Sequence, residues 1–451
     1  MSRLMVSVSG IRGEIGSTLS PETIHDFTAA FALFLKGGKV VVGRDSRVSG
    51  PFVTHIVKGV LMANGCDVVD IGIVPTPTVQ MAVEYHKAAG GIAITASHNP
   101  IQWNGLKFIN SDGRFLSPDR AEAVFELRDN KKTNLVAWDK LGEEAEDVEA
   151  VKRHIDAVLN ISYLDVNALR KRNFKVAVDT VNGAGGEIIP ALLKELGCEV
   201  IAVNSEMTGI FAHTPEPLPE NLKQLGEAIR KNGADIGFAV DPDVDRCAIV
   251  DNNGNPLGEE YTLPIAVKLI FSKKMGRMAI NMSTSRASED IAKYYNCMSV
   301  RSKVGEINVA DKMKEIDAII GGEGNGGVIL PEVHTGRDAP VAVALTLQAL
   351  LEFGGTIEEL KNSLPQYKMV KNKVKIEGID PDLILQKLAE KYKDEEINLL
   401  DGVKIDFEQS WVHLRKSNTE PILRIISEAP TEKEAQELAE RFGKEALAIS
   451  S

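Results

Sequence analysis

Short apolar runs alternate with helix-period segments along most of the chain, the pattern of parallel α/β units. The alternation itself repeats. In the first copy, the strand Lys39-Val-Val-Val-Gly43 leads to a helix, then to Cys66-Asp-Val-Val, then to Gly91–Ile94 and a loop that reaches Ser97. In the second, Lys175-Val-Ala-Val-Asp179 leads to a helix, to Cys198-Glu-Val-Ile and to Ile236-Gly-Phe-Ala-Val-Asp241. In the third, Met278-Ala-Ile-Asn281 leads to a helix, to Cys297-Met-Ser-Val, then to Ala318-Ile-Ile-Gly321 and Glu323. Parallel sheets collect their ligand loops at the carboxyl ends of strands. Ser97, the acidic triplet at Asp241 and Glu323 each hold that position in their own copy.

From about Met369 the pattern changes to strand (370–376), helix (381–391), a meander (399–426) and a helix from Thr431, a small α+β unit. The expected fold class is therefore α/β, with three similar domains built on mixed sheets and a C-terminal α+β domain. Their expected spans are 1–155, 156–255, 256–367 and 368–451. Joints are expected near the acidic stretch 142–147, near Asn252-Asn-Gly-Asn-Pro256 and near Pro365.

At 451 residues the chain is too long for one ordinary core. No apolar stretch is long enough to span a bilayer and no signal pattern opens the chain, so a cytoplasmic protein is expected. A net charge of −12 speaks against nucleic acid or anionic membrane as partner. An anionic substrate must then be met by a local positive pocket. The four cysteines contain no C-x-x-C pair, so buried, reduced thiols are expected instead of zinc or a redox dithiol.

Ser97, in Thr95-Ala-Ser-His-Asn-Pro100, is the candidate nucleophile, with no hydrolase elbow around it. His98 reads as structural, because neighbouring side chains on an extended segment point opposite ways. Asp241, Asp243 and Asp245 alternate along one segment, which aims three carboxylates to one side. Like charges so close call for a cation, and an oxygen-only set beside phosphate favours Mg²⁺. Arg246 follows at once and suits a phosphate or substrate oxygen. Gly321-Gly-Glu323-Gly-Asn325-Gly-Gly327 is too glycine-rich for a regular helix or strand, and Glu323 with Asn325 suits sugar hydroxyls. Arg415-Lys-Ser417-Asn418-Thr419 supplies a guanidinium, hydroxyls, an amide and backbone N–H groups suited to a phosphate dianion; Arg424 adds a second charge. A nucleophile, a cation cage, a hydroxyl reader and an anion clip together describe phosphoryl transfer on a phosphosugar.

With Ser9-Gly-Ile-Arg12-Gly, Gly43-Arg44-Asp-Ser-Arg47, Pro75-Thr-Pro77, Asn104-Gly-Leu-Lys107 and Asp179-Thr-Val-Asn-Gly183, the set resembles the α-D-phosphohexomutase family over nearly the whole chain. The resemblance implies four domains around a central cleft, and Ser97 as a phosphoserine that hands its phosphoryl group to the substrate. It implies Mg²⁺ on Asp241, Asp243, Asp245 and a phosphoserine oxygen, with Arg12 and Lys107 beside the transferring group. Glu323 would read hydroxyls, while Arg415, Ser417, Asn418 and Thr419 would grip the other phosphate. A hexose 1,6-bisphosphate would be intermediate and activator, in a monomer or homodimer. The family's sugar loop commonly reads Glu-x-Ser-Gly-His; here Asn325 and Gly327 stand in it, which vacates the histidine's acid–base role and leaves Lys303 or Lys107 to replace it. The loop is similar to that of a branch acting on glucosamine phosphate. A mutase tolerant at the sugar 2-position, a catalytically silent phosphosugar-binding protein and a phosphatase are the competing expectations.

Overall fold

A computed structural model describes residues 4–131, 133–376, 380–416 and 422–450, and among these the strands form four sheets. The first contains β1 (Met5–Ser7), β2 (Gly10–Glu14), β3 (Gly38–Arg44), β4 (Cys66–Ile73), β5 (Gly90–Ile94), β6 (Trp103–Asn110) and β7 (Glu144–Glu146), in the order β1-β2-β6-β5-β3-β4-β7. The second orders β8 (Lys175–Asp179), β9 (Glu199–Val203), β10 (Ile236–Val240) and β11 (Cys247–Val250) as β11-β10-β8-β9. The third orders β12 (Arg277–Asn281), β13 (Met298–Ser302), β14 (Ile320–Glu323) and β15 (Gly327–Ile329) as β13-β12-β14-β15.

Without its added edge strands, the first sheet has the arrangement of the other two. The first strand of each copy lies between the second and the third, all parallel, and an antiparallel fourth follows the third. The repeat seen in the sequence is thus a repeat of topology. Every residue of β5 and of β10 is buried, as expected of strands covered on both faces, which is why they read as unbroken apolar runs. The third strands β5, β10 and β14 end just before Ser97, just before Asp241 and at Glu323.

The last unit is an antiparallel sheet of β16 (Lys368–Lys375), β17 (Glu396–Asn398), β18 (Val403–Asp406), β19 (Trp411–Lys416) and β20 (Ile422–Ala429), ordered β16-β20-β19-β18-β17. The helices Pro381–Lys391 and Glu432–Ser450 pack on it around Leu388, Leu414 and Phe442.

The cores divide the molecule differently from the sequence. The first sheet has its own core, in which the Phe31 and Phe108 rings lie 4.7 Å apart. The second and third sheets share one apolar body running from Ile155 to Leu364. At its centre lies the helix Ala339–Phe353, apolar on every face and buried through residues 339–350. A division at 255/256 therefore cuts a continuous core, and one at 155/156 falls inside the helix Ala150–Leu159, which is held by buried Ala150, His154, Ile155 and Val158. The acidic stretch expected as a joint contributes β7, parallel to β4. Lys58 Nζ makes this edge tolerable by bonding Asp70 at 2.7 Å and Glu144 at 2.6 Å. All four cysteines are free; Cys297, before the edge strand β13, is only half-buried, against expectation. No described helix is long and apolar enough to cross a membrane.

Candidate active site

The loop after β5 is fixed by a buried arginine. Arg47 Nη2 donates to the carbonyls of Ser97 (2.6 Å) and Asn99 (2.7 Å), and Nη1 to those of Pro100 (2.7 Å) and Trp103 (2.9 Å). Its Nε bonds Asp45 at 3.0 Å, and Asp45 also accepts from Thr95 Oγ1, which in turn accepts from the Ser97 N–H. The motif Gly43–Arg47 therefore serves as a clamp on the serine loop. Ser97 itself sits at φ +51°, a left-handed conformation that costs a non-glycine residue and needs such a frame. Because of this turn, Ser97 and His98 do not diverge as on an extended segment. Ser97 Oγ lies 3.0 Å from Asp241 Oδ2, to which it donates, and 3.3 Å from His98 Nδ1. His98 lines the cleft, and burial beside Arg246 and Arg12 pushes it down to about 2, so the imidazole is neutral.

The loop after β10 carries the three aspartates, all buried, with one carboxylate oxygen of each within 4.8 Å of the others. Lys107, from β6, bonds Asp243 at 2.6 Å and Asp245 at 3.3 Å; Thr76 Oγ1 donates to Asp243 at 2.7 Å. Burial and the neighbouring Asp245 and Asp243 raise Asp241 well above the ordinary carboxyl range. Burial acts the same way on Asp243, but Lys107 and Thr76 outweigh it and hold that carboxyl low. Asp243 Oδ1 and Asp245 Oδ1 are buried without a hydrogen-bond partner. Orphaned carboxylate oxygens in an oxygen-only set fit a hard divalent cation such as Mg²⁺.

The glycine-rich segment is not irregular. It forms the antiparallel hairpin β14–β15, and glycine is what lets it pack. At Gly326, φ +83°, a Cβ would stand 2.4 Å from the Cys247 carbonyl; its own carbonyl accepts from the Cys247 N–H at 3.0 Å. The hairpin tip is thereby tied to the strand leaving the aspartate loop. Glu323 accepts from Asn281 Nδ2 (2.7 Å) and the Gly305 N–H (2.9 Å). Against burial, Arg337 and these donors keep Glu323 below the usual carboxyl range.

Arg337 is a site residue that sequence reasoning missed. It is buried, and its guanidinium meets Asp245 at 2.6 Å, Glu323 at 2.6 Å and Glu306 at 3.1 Å. It carries no motif; its one local signal is its place just before Asp338, the N-cap of the apolar helix Ala339–Phe353. A Cβ at Gly327 would lie 2.3 Å from Arg337 Cδ, so the arginine side chain occupies the space that a side chain there would need.

His98, Lys107, Glu323 and Arg337 border one cleft of about 380 Å³ between the four sheets, and Ser97 and the three aspartates lie buried directly behind this lining. Arg12, Lys107, Arg246, Glu323, Asn325, Arg415 and Arg424 all line it. Arg12 Nη1 donates to Asn99 Oδ1 at 3.1 Å. Arg246 reaches Glu216 at 3.4 Å. Arg415 and Arg424 face each other across β19 and β20, two like charges that suit a shared anion. Ser417, Asn418 and Thr419 lie outside the described residues. Lys303 is not brought in: its side chain is exposed, and the next residues, Val304 and Gly305, line the cleft instead. Also missed were Glu216, Glu259, Glu260 and Lys371, which line the cleft but belong to no pattern visible along the chain.

Four family models, described as phosphoglucomutase/phosphomannomutase alpha/beta/alpha domains I, II and III and C-terminal domain, match residues 3–134, 152–254, 258–367 and 371–445. A phosphoglucomutase/phosphomannomutase of Thermococcus kodakarensis is 40% identical over 441 residues, 96% of each chain. A probable phosphoglucosamine mutase of Methanopyrus kandleri is 37% identical over 440 residues, again 96% of each. The crystal structure of a phosphoglucomutase/phosphomannomutase family protein from Burkholderia thailandensis superposes with a TM-score of 0.86 at 25% identity, covering 99% of this chain and 98% of that one.

Proposed function

The chain belongs to the phosphoglucomutase/phosphomannomutase family, and on that premise we propose that it interconverts a hexose 6-phosphate and a hexose 1-phosphate through a phosphorylated Ser97, with glucosamine phosphate as the preferred pair. The observation that carries this reading is the placement of Ser97 Oγ 3.0 Å from Asp241, within the aspartate cluster and beside Lys107.

In the forward half-reaction, a sugar hydroxyl oxygen attacks the phosphorus carried by Ser97. The bond from phosphorus to Oγ breaks as the bond to the sugar oxygen forms, and the hydroxyl proton ends on the departing Ser97 Oγ, which becomes a free hydroxyl; the return transfer reverses this exchange. The hexose 1,6-bisphosphate turns end for end in the cleft. Ser97 Oγ then takes back the phosphoryl group from the other end, and the isomeric monophosphate departs. Phosphoryl transfer depends mainly on position and charge stabilisation. Lys107 and Arg12 hold the phosphoryl oxygens, Glu323 and Asn325 orient the sugar hydroxyls, and Arg246 steadies the substrate. Arg415, Arg424 and the Ser417–Thr419 segment grip the phosphate that is not in transfer. Mg²⁺, held by Asp241, Asp243 and Asp245, would supply neutralisation of the phosphoryl charge. A trace of hexose 1,6-bisphosphate would prime an unphosphorylated Ser97.

Coupled assays with glucosamine, glucose and mannose 1-phosphates, with Mg²⁺ and trace bisphosphate, test the reading together with phosphopeptide mapping of Ser97. Turnover with phosphate on Ser97 supports it; an unmodified serine and no turnover of any of the three would refute it. A second reading, preference for 2-hydroxyl sugars, is supported by the similarity to the phosphoglucomutase/phosphomannomutase of Thermococcus kodakarensis. Highest kcat/KM on glucose or mannose 1-phosphate would favour that one.

A further inference from the structure

We infer that Glu260, seconded by Glu259, is the residue pair that selects the substrate, by taking the ammonium group of a 2-amino sugar phosphate. The inference rests on the mutase reading above and names the side chains that would set its specificity.

Glu259 and Glu260 stand at the start of the turn before the helix Thr262–Lys273 and line the cleft next to the sugar hairpin. Lys371, from β16, bonds one oxygen of each: Glu259 Oε1 at 2.5 Å and Glu260 Oε1 at 3.3 Å. The other oxygens, Glu259 Oε2 and Glu260 Oε2, are buried and have no donor, although Glu259 is only 7% exposed. Asn325 Oδ1, on the hairpin tip, is a third buried acceptor without a donor. Buried acceptors are rarely left so, and three beside one cleft ask for a donor-rich guest. A sugar hydroxyl brings one donor hydrogen, whereas an ammonium brings three and a positive charge.

Glu260 is placed to meet whatever the hairpin holds. A Cβ at residue 324 would stand 2.0 Å from Glu260 Oε2, so Gly324 is what admits the carboxylate to the hairpin backbone between Glu323 and Asn325. Burial pushes Glu260 up to about 8; Lys371 pulls against this and Glu259 adds to it. Near neutral pH the Glu260 carboxyl therefore tends to hold its proton, and an arriving ammonium favours the ionised form as Lys371 does from the other oxygen. The guanidinium of Arg337 is committed to Asp245, Glu323 and Glu306.

The experiment compares kcat/KM for glucosamine, N-acetylglucosamine and glucose 1-phosphates in the wild-type enzyme and in Glu260→Gln, Glu259→Gln and Gly324→Ala, each checked for folding by thermal melting. The wild type should favour the free amine over both neutral sugars. Glu260→Gln should lower the glucosamine-to-glucose ratio about tenfold or more, the scale of a lost charge-assisted hydrogen bond. Gly324→Ala, which displaces Glu260 without removing it, should move the ratio the same way, and Glu259→Gln should move it less. Ratios within about twofold of wild type in Glu260→Gln and Gly324→Ala alike would overturn the inference. So would a wild type that prefers glucose 1-phosphate, with the mutase reading left standing. A wild type that turns over none of the sugars ends the mutase reading. Calorimetric binding of glucosamine and glucose 6-phosphates then decides the ammonium site, a loss of amine preference in Glu260→Gln supporting it and unchanged preference refuting it.

Discussion

The floor of the cleft and its fourth-domain rim are built on different physical terms. On the floor, Ser97, Lys107, the three aspartates and Arg337 are all buried; Lys107 pairs with Asp243 and Asp245, and Arg337 with Asp245, at 2.6 to 3.3 Å. On the rim, the Arg415 side chain is 23% exposed, its pairing with Asp401 is 3.4 Å long, and its sheet has a core of its own. The rim meets the third unit through a few polar contacts, such as Ser283 with His413 (2.9 Å) and the Val304 N–H with Asp401 (2.9 Å). A covalent step needs donors fixed before reaction, and a buried, over-determined floor provides them. On the proposed reaction, the grip would have to accept either end of a turning bisphosphate, which suits a separately folded unit.

The contrast breaks most visibly at Ser97. Ser97→Ala should lower kcat by at least about three orders of magnitude, with the melting temperature unchanged, and chelation of Mg²⁺ should abolish wild-type turnover in the same assay. Next comes Arg337→Met, which strands Asp245, Glu306 and Glu323 in the interior; urea unfolding should show a loss of about 3–5 kcal/mol, the scale of a broken buried ion pair. Arg415→Ala, on the rim, should leave stability within about 0.5 kcal/mol. It should instead raise KM, by the roughly 1.5–3 kcal/mol of a charge-assisted contact. A further test concerns Lys404 in the fourth domain. Burial, with Arg301 adding to it, pushes that ammonium down to about 8, while Lys in an unfolded chain titrates near 10.4. Between those values the unfolded chain binds more protons, so stability should rise with pH across that window; the rise should be absent in Lys404→Met.

The parts of the floor that were legible in the sequence are those the repeat puts at strand ends. Ser97, Asp241 and Glu323 follow apolar runs of one kind, so a period along the chain located them before any fold was known. Arg337 follows no such rule. It reaches Asp245 across 92 positions and Glu306 across 31, and only the tertiary fold brings these carboxylates together. Glu260 was equally hidden, because its meaning depends on a glycine more than sixty positions away. The alternation argument used for His98 does not apply, because the left-handed turn at Ser97 brings the imidazole to 3.3 Å from Ser97 Oγ. Lys303 is exposed and absent from the cleft lining, which its neighbours Val304 and Gly305 supply, and nothing along the chain distinguished these positions. The glycine-rich hairpin escaped the rule that glycine weakens strands because close approach to Cys247 required it. The turn at 255/256 falls where the second family model ends and the third begins, yet it does not divide the apolar interior, because turn residues report where a chain bends and not where a core ends.

That undivided interior has a consequence for where the chain can be divided. Three copies of one topology remain recognisable, yet the second and third have fused into a single apolar body from Ile155 to Leu364. A break at their seam would leave two halves of one interior facing water. The fourth unit, closed around Phe442, has an interior of its own, so a cut before it would open no core.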